Sequence, residues 1–201
     1  MIWTMTKRIL DIILSFMGII LLSPLFLLII LLIILDSKGG VIYRSRRLGR
    51  YQKQFDVFKF RTMHPNSDHL KLTIGNNDQR ITKAGFYLRK YKLDELPQLF
   101  NVLKGDMSIV GPRPDVPEYS KYYLSHMPEY YLMKPGITCY SSIYFSNESE
   151  IYRNSKDPEK LYINHTIPKK VELDRKYFIN QGLLTDISII FRTFEKIFNN
   201  H

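Results

Sequence analysis

"ILDIILSFMGIILLSPLFLLIILLIIL", residues 9–35, is apolar except for Asp11, Ser15 and Ser23. At 1.5 Å of rise per residue, a straight helix of this length would reach roughly 40 Å, which exceeds the hydrocarbon thickness of a bilayer. The run is too long for a secretory signal, and no small-residue cleavage site follows it before "DSKGGVIYRSRR" at 36–47. We therefore expect a membrane element that stays attached to the chain.

Ser23-Pro24, in the middle of this segment, bears on whether it crosses the membrane once or forms a hairpin. A single-pass anchor is the simpler interpretation of the hydropathy. A proline in the middle of a helix, however, removes a donor and bends the rod, and each half of about 14 residues is too short to cross a core of roughly 30 Å. Basic residues flank both ends, which favours a hairpin with both ends on the cytoplasmic side. These residues are Lys7, Arg8, Lys38, Arg44, Arg46, Arg47 and Arg50.

We therefore predict a re-entrant helix-break-helix membrane hairpin over residues 1–36, followed by a cytoplasmic domain over residues 37–201. In this hairpin Asp11 lies near the lipid head groups. Pro24 leaves a carbonyl without its donor inside lipid, and the Ser23 hydroxyl is the nearest group that can bond it.

The charge of the chain limits its partners. Its 201 residues hold 29 Lys and Arg against 19 Asp and Glu, which gives a net charge of +10 and a pI near 9.6. Such a chain binds anions, whether nucleic acid, acidic lipid head groups or a phosphorylated substrate. Its single cysteine, Cys139, excludes an internal disulfide and a cysteine-rich metal site, which indicates a reducing compartment.

Beyond the apolar run, the patterns predict a small α+β domain that is mainly helical. "GVIYR" at 40–44 and "QFDVFKF" at 54–60 are rich in β-branched and aromatic residues and predict a short β-hairpin across the basic segment 44–53. Residues 64–80 are turn-rich and predict a loop. His64 and His69 lie in that loop, where we interpret them as solvated side chains rather than metal ligands.

Two later segments fit a membrane surface. Residues 118–136 hold five tyrosines among charged residues, which suits stacking on single-stranded nucleic acid or a helix at head-group level. The neighbouring apolar run favours the second. Near the C-terminus, apolar residues at helical spacing predict an amphipathic helix that packs on the core or on the bilayer. They are Leu183, Leu184, Ile187, Ile190, Phe191, Phe194, Ile197 and Phe198.

The most informative polar segment is "RKYKLDELPQLFNVLKGDMSIVGPRPD" at 89–115, which sets Asp94 beside Glu95. Proline is tolerated in the first turn of a helix, so Pro97 predicts a helix that has Asp94 as its N-cap and ends at Gly105. Taken alone, the pair is ordinary helix-start chemistry. Basic residues gather around it in the sequence, however, and the free N–H groups of a helix start also bind phosphate. These residues are Lys59, Arg61, Arg89, Lys90, Lys92 and Arg113.

Arg113 lies in Gly-Pro-Arg-Pro, between Pro112 and Pro114. Pro112 has a fixed φ, and Pro114 pushes Arg113 into an extended conformation. A guanidinium held in this way suits phosphate recognition. We therefore predict that the acids attack or hold a metal ion while the bases neutralise phosphate charge.

With these residues the chain resembles the monotopic polyprenyl-phosphate phosphoglycosyl transferases, also called the bacterial sugar transferase family. The resemblance covers the apolar start with Ser23-Pro24, "KFRTM" at 59–63, the block at 88–114, "KPGIT" at 134–138, and "LDRKYF" with "LLTDISII" near the end. It implies a re-entrant helix in the bacterial inner membrane and a catalytic domain on the cytoplasmic face. It also implies transfer of a sugar 1-phosphate from a UDP-sugar to undecaprenyl or another polyprenyl phosphate, with release of UMP, as the first membrane step of a glycan pathway.

The same resemblance implies roles for individual residues. Asp94 is the nucleophile of a covalent phosphosugar intermediate, and a normal pKa of about 4 keeps it ionised at neutral pH. Asp94 and Glu95 together hold Mg²⁺, the ion of the family. The residues expected to bind or support the substrate are Lys59, Arg61, Arg89, Pro112, Arg113, Pro114 and Asp174.

The resemblance weakens over "CYSSIYFSNESE" at 139–150, where a phosphate-binding arginine is expected and Arg153 is the nearest. Two other functions stay open from the residues alone. A membrane-tethered nucleic-acid protein would use "RSRRLGR" and the tyrosines, and an interfacial scaffold would bind acidic lipid without chemistry. Among the three we predict the transferase, with a UDP-sugar, a polyprenyl phosphate and inner-membrane lipid as partners and without nucleic acid. A homo-oligomer is left open.

Overall fold

The computed structural model describes residues 2–65, 78–152 and 155–199. Within them it contains ten α-helices, short 3₁₀ turns and two small sheets, which confirms the predicted α+β class with a mainly helical domain. Most of the predicted loop at 64–80, including His69, lies outside the described residues, and so does Arg153.

The first two helices, α1 (Ile2–Leu21) and α2 (Ser23–Asp36), form a bent pair. Pro24 has no N–H to give to the carbonyl of Ile20, and the Ser23 hydroxyl donates to that carbonyl instead at 2.8 Å. The bend therefore lies where the sequence predicted it, and the hydroxyl has the predicted partner. No single helix in the described residues is long and apolar enough to cross a membrane, whereas Met5–Leu21 and Ser23–Asp36, bent by 61°, pass that test as a pair.

The β-hairpin follows directly. β1 (Ile42–Leu48) and β2 (Gln54–Phe60) pair antiparallel, from Ile42 opposite Phe60 to Leu48 opposite Gln54. The predicted hairpin is confirmed, although β1 continues through basic residues that the sequence had assigned to the turn. The chain reverses between Gly49 and Lys53, where the Gly49 N–H donates to the Lys53 carbonyl at 2.8 Å.

The remaining helices build the rest of the domain, and a π-helical segment over Tyr162–Thr166 joins two of them. They are α3 (Lys83–Lys90), α4 (Gln98–Lys104), α5 (Ser120–His126), α6 (Tyr140–Tyr144), α7 (Glu148–Ile151), α8 (Pro158–Leu161), α9 (Ile167–Ile179) and α10 (Leu183–Asn199).

A second sheet holds only two short strands, β3 (Ser108–Val110) and β4 (Gly136–Thr138), which run parallel. A Cβ at Gly136 would lie 2.1 Å from the backbone nitrogen of Gly111, so the close approach of the two segments requires glycine. The sequence analysis did not predict this sheet, because strands of three residues carry too little periodicity to be recognised.

One face of α2 packs on the domain. Ile29 and Ile33 are buried in a cluster with Phe60 of β2 and Leu88 of α3. The opposite face exposes leucines, among them Leu27 and others along the helix. A helix that is apolar on all sides but covered on one of them has its other sides free for an apolar environment.

Polar contacts fix the C-terminal end of α2. The Arg61 guanidinium donates to the carbonyls of Ser37 at 2.8 Å and Lys38 at 2.5 Å. The Asp36 carboxylate accepts from the N–H of Ala84 at 2.9 Å, in the first turn of α3. These bonds couple the end of the apolar hairpin to the helix that precedes the acid pair.

α1 is anchored on the other side of the domain. Asp11 is buried and accepts from the N–H of Ile109 at 2.9 Å and from the Ser108 hydroxyl at 3.1 Å. Arg8 donates to the carbonyls of Val102 and Leu103 at the end of α4, at 2.6 and 2.8 Å. Asp11 therefore bonds the edge of β3, whereas the sequence had suggested only that it lies at head-group depth.

The tyrosines of residues 118–136 form core rather than surface. Tyr119, Tyr123, Tyr130 and Tyr131 are all buried. The Tyr123 hydroxyl lies 3.1 Å from the hydroxyl of Tyr162, so its polar end is satisfied inside the protein. The head-group interpretation of this segment is wrong for these four rings, and so is the alternative of stacking on nucleic acid, because neither lipid nor a base can reach them.

The C-terminal amphipathic helix is present as α10. Ile189 is buried and Asp186 forms an ion pair with Lys7 of α1, so one face contacts the domain. The other face is strongly apolar and open. Its exposed side chains are Leu183, Leu184, Ile187, Phe191, Phe194 and Phe198.

The anchoring of α1 gives a first prediction. Asp11→Ala leaves the Ile109 N–H and the Ser108 hydroxyl without their acceptor, and we expect a loss of about 1–3 kcal/mol in the free energy of unfolding. Ser15→Ala is the matched control, because Ser15 is buried one turn later on α1 and its hydroxyl has no hydrogen-bond partner in the described residues. Urea unfolding of the full chain in detergent measures both. Equal stability of the two variants would contradict the anchoring role.

Candidate active site

Two separate segments converge on the carboxylate of Glu95. Lys59 of β2 donates from Nζ to Oε1 at 2.8 Å. Arg113, beyond β3, donates from Nη2 to Oε1 at 2.6 Å and from Nη1 to Oε2 at 3.3 Å. The residues that the sequence placed around the acid pair are thus partly brought together, with Glu95 at their centre.

Lys59 is positioned by the attachment of β2 to α4. The buried amide of Asn101 accepts from the N–H of Phe58 at 2.9 Å and donates to the carbonyl of Asp56 at 2.7 Å. The amide therefore completes the backbone hydrogen bonds of the open strand edge. This double bond holds β2 against the helix that follows the acid pair, so Lys59 reaches Glu95 from a fixed strand.

Asp94 and Glu95 lie in a separate tight turn. A 3₁₀ helix spans Leu93–Glu95, and α4 begins afterwards, with Pro97 as its N-cap residue. The prediction of Asp94 as the N-cap is therefore wrong, although α4 does end at Gly105. Pro97 lacks an N–H, which costs as little just before the helix as inside its first turn. Successive 3₁₀ residues point about 120° apart, so the two carboxylates face different directions.

Backbone hydrogen bonds hold the segment that carries Arg113 on both sides, and on one of them the Asp115 carbonyl accepts from the N–H of Leu48 at 2.9 Å. The Pro112 carbonyl accepts from the N–H of Gly136 at 2.9 Å, next to β4. Pro112, Arg113 and Pro114 all line a small crevice at the domain surface. The two prolines therefore share the lining of one crevice with Arg113.

Glu95 is a permanently charged centre. Burial raises the pKa of Glu95, but Arg113 and Lys59 outweigh burial and hold it well below its usual range. In return, the charge of Glu95 raises the pKa of Arg113 above its ordinary value. An acid that binds two cations this closely has little capacity left to act as a base or a nucleophile.

The environment of Asp94 shifts its pKa in the opposite direction to that of Glu95. Burial raises the pKa of Asp94, with Lys59, Lys92 and Arg89 lowering it and Glu95 raising it further. Within the described residues no donor forms a hydrogen bond to its carboxylate. The expectation of an ordinary pKa is therefore wrong, because the side chain loses solvent without gaining the hydrogen bonds that stabilise an anion. A carboxylate of raised basicity is the more nucleophilic member of the pair.

Two cations near Asp94, Arg89 and Lys92, form no ion pair within the described residues. Arg89 lies in the last turn of α3, and Lys92 follows directly after that helix. Burial lowers the pKa of Arg89, and the charge of Asp94 raises it. Neither residue forms an ion pair with any acid in the described parts of the chain, so both can meet an added anion.

Two predicted site residues lie elsewhere. Arg61 binds the end of α2, as described above, and its guanidinium is not directed to the acid pair. Asp174 of α9 is buried in the tyrosine core and accepts from the Tyr130 hydroxyl at 3.1 Å. Burial raises the pKa of Asp174. The structure gives both residues structural partners and brings neither to Glu95.

The sequence analysis missed a polar group behind Arg113. Glu148 of α7 accepts from Lys170 of α9 at 2.7 Å and from the Tyr152 hydroxyl at 2.8 Å. Burial raises the pKa of Glu148, but the charge of Lys170 outweighs burial, and Arg113 lowers it further. No spacing signal connects these residues, because the pairing depends on how α9 packs. Glu148 itself lies in the segment 139–150, where the resemblance weakened.

The acid pair offers oxygen atoms of the kind that bind Mg²⁺. Within the described residues there is no group of three or more His, Cys, Asp or Glu side chains that could hold a metal ion. Mg²⁺ needs fewer, because it is commonly bound by one or two carboxylates with the remaining positions filled by water and substrate phosphates. The unbonded oxygens of Asp94 and the less engaged Oε2 of Glu95 are hard ligands of this kind.

Comparison with known proteins places this geometry in context. A family model described as bacterial sugar transferase matches residues 2–200. The chain is 40% identical to the UDP-glucose:undecaprenyl-phosphate glucose-1-phosphate transferase of Klebsiella pneumoniae, over 96% of the chain and 40% of that protein. It is 34% identical to the UDP-N-acetylgalactosamine-undecaprenyl-phosphate N-acetylgalactosaminephosphotransferase of Aeromonas hydrophila, over 98% of the chain and 44% of that protein.

The chain thus spans less than half the length of these two relatives. A relative of similar size is the exopolysaccharide production protein ExoY of Sinorhizobium fredii, which is 34% identical over 94% of the chain and 83% of that protein. Since the family match and this relative both cover nearly all of the sequence, the chain belongs to the bacterial sugar transferase family.

Proposed function

We propose that the protein transfers a sugar 1-phosphate from a UDP-sugar to undecaprenyl phosphate through a covalent intermediate on Asp94. The observation that carries this proposal is the difference between the two acids, because Glu95 binds both Lys59 and Arg113 while no donor in the described residues forms a hydrogen bond to Asp94. Family membership and the names of the relatives support the reaction class.

The reaction takes two displacements at one phosphorus. In the first, a carboxylate oxygen of Asp94 attacks the phosphorus that carries the sugar, the bond to the bridging pyrophosphate oxygen breaks, and UMP leaves with that electron pair. An acyl phosphate then joins Asp94 to the sugar phosphate. In the second, a phosphate oxygen of the polyprenyl acceptor attacks the same phosphorus and the Asp94 carboxylate leaves. Neither step needs a proton from a general acid, because UMP and the carboxylate are both stable anions.

The chain supplies the positive charge that such a reaction needs. An anionic nucleophile approaches a dianionic pyrophosphate, and only fixed cations can offset the repulsion. Arg89 is directed by α3 and lies near Asp94, while Lys59 and Arg113 neutralise Glu95 so that the acid pair does not repel the donor. When bound at Asp94 and Glu95, Mg²⁺ would add further charge neutralisation at the phosphates.

The polyprenyl phosphate acceptor would bind on the side of the site that faces α2. An open groove of about 530 Å³ lies between α2 and α3, and Leu93, the residue before Asp94, is among the residues that line it. Its walls are apolar, which suits a polyprenyl chain whose phosphate must reach the acid. Residues that line it include Leu25, Leu28, Ile29, Leu32, Tyr87 and Leu88.

The same geometry supports a monotopic placement on the cytoplasmic face of the inner membrane. The bend at Ser23 and Pro24, the basic residues at both ends of the hairpin and the open apolar face of α10 are consistent with a hairpin that enters and leaves by one face. A lipid-linked acceptor then meets Asp94 at the membrane surface.

Asp94→Asn tests the nucleophile. The amide keeps the shape but has no charge and cannot form the acyl phosphate, so we expect UMP release from UDP-glucose, UDP-galactose and UDP-N-acetylgalactosamine to fall by at least about 10³-fold. The assay contains undecaprenyl phosphate and Mg²⁺. Asp157→Asn is the control, because Asp157 caps α8 at the surface and asparagine caps equally well. Substantial turnover by Asp94→Asn would falsify the proposal.

Glu95→Gln tests the coupling of the two acids. The charge of Glu95 raises the pKa of Asp94, so its removal lowers that pKa, and the freed Lys59 and Arg113 act in the same direction. We expect the acidic limb of the single-turnover rate to move to lower pH. We also expect the plateau rate to fall by about 10- to 100-fold, because the two cations lose their anchor. A limb that stays in place or moves to higher pH would contradict the coupling.

A further inference from the structure

Lys92 has a backbone conformation that lysine rarely adopts, with φ 57° and ψ 19°. Among the non-glycine residues that the structure describes, Tyr51 and Gln52 also have positive φ, and both lie in the turn between β1 and β2. At such φ values the Cβ crowds the backbone, so glycine or asparagine is easier to accommodate. A lysine at this position is a local cost that the fold itself does not require.

The backbone of Lys92 has a clear structural purpose. Its N–H donates to the Arg89 carbonyl at 3.2 Å, and its carbonyl accepts from the Glu95 N–H at 3.3 Å. Lys92 thereby ends α3 and opens the turn that carries Asp94. Glycine would serve this purpose equally well, so the backbone explains the turn but not the ammonium group.

The charges around the acid pair indicate what the Lys92 ammonium group can bind. Glu95 engages Lys59 and Arg113, and Asp94 is the other acid. Arg89 and Lys92 are then the cations of this cluster that have no ion-pair partner within residues 2–65, 78–152 and 155–199. A nucleotide donor brings two negative charges to Asp94 on its pyrophosphate. Binding it with Lys59 or Arg113 would mean breaking a largely buried ion pair, which is costly, whereas Arg89 and Lys92 are available at once.

We propose that Lys92 binds the pyrophosphate of the UDP-sugar donor together with Arg89. This inference rests on the proposed function and names one more substrate-binding residue for it. Lys92 begins the turn that carries Asp94 and interacts electrostatically with both Asp94 and Glu95, so its ammonium lies near the carboxylate that attacks phosphorus. A lysine suits this position because its flexible side chain and compact charge can follow a phosphate as it moves between donor and product.

The test uses binding of UDP, which carries the pyrophosphate without the sugar, to the full chain in detergent. Lys92→Asn and Lys92→Gly both tolerate the left-handed backbone and remove the charge, and we expect each to weaken UDP binding by about 10-fold at low salt. We expect Lys92→Arg to stay within about 3-fold, because it keeps the charge. Lys121→Asn is the control, since Lys121 is an exposed lysine of α5 that lies over the ring of Tyr122 and is not one of the basic residues assigned to the acid pair.

The melting temperatures of the variants distinguish a role of Lys92 in UDP binding from a purely structural role. Lys92→Gly relieves the strained backbone, so its melting temperature should equal or exceed that of the wild type while its UDP affinity falls. The salt dependence of binding should also become shallower in both neutral variants, because one cation fewer meets the diphosphate. Unchanged UDP affinity in Lys92→Asn and Lys92→Gly overturns the inference, and so does an equal loss in Lys92→Arg.

The outcome is independent of the transfer reaction. If the wild type transfers sugar phosphate and the neutral variants bind UDP as well as it does, this inference fails while the proposed function stands. If the wild type binds UDP through Lys92 but transfers no sugar phosphate to undecaprenyl phosphate, the proposed function fails while the binding role stands.

Discussion

The site depends on one carboxylate, Glu95, which is bonded by Lys59 from a β-strand and by Arg113 from a proline-flanked segment. These contacts join parts of the chain that are far apart in sequence and fix the 3₁₀ turn in which Asp94 lies. They also neutralise Glu95, so that a buried pair of adjacent acids does not concentrate two uncompensated charges. Glu95 thereby takes both cations as hydrogen-bond donors, whereas no donor in the described residues bonds the Asp94 carboxylate.

The same turn connects the chemistry to the apolar hairpin. α2 packs on Phe60 of β2, the strand that carries Lys59, and on Leu88 of α3, the helix that carries Arg89. The Asp36 carboxylate at the end of α2 accepts a hydrogen bond from an N–H in the first turn of α3. The Arg61 guanidinium donates to the two carbonyls that follow α2. On the proposed monotopic placement, the depth of the hairpin in a bilayer would set the height of Asp94 above it. The proposed transfer from a soluble nucleotide sugar to a lipid phosphate would need such a fixed height.

Local signals in the sequence predicted the parts of the structure that local physics controls. The bend at Pro24, the Ser23 hydroxyl bond, the β-hairpin and the end of α4 at Gly105 all follow from backbone chemistry within a few residues. The sequence did not reveal that the tyrosines are core, because burial of an aromatic ring depends on partners such as Tyr162 that arrive from distant helices. Nor did it separate the roles of Asp94 and Glu95, since the raised pKa of Asp94 follows from its burial and from the charge of Glu95, which together outweigh the cations that lower it.

The central claim is that Asp94, and not Glu95, carries the sugar phosphate. The most direct measurement is peptide mapping by mass spectrometry of the wild-type protein after incubation with a UDP-sugar in the absence of any lipid acceptor. The account predicts one sugar phosphate per chain on Asp94, removable by hydroxylamine as an acyl phosphate, with a matching amount of UMP released. An adduct on Glu95, or UMP release that occurs only when undecaprenyl phosphate is present and leaves no adduct, would contradict it.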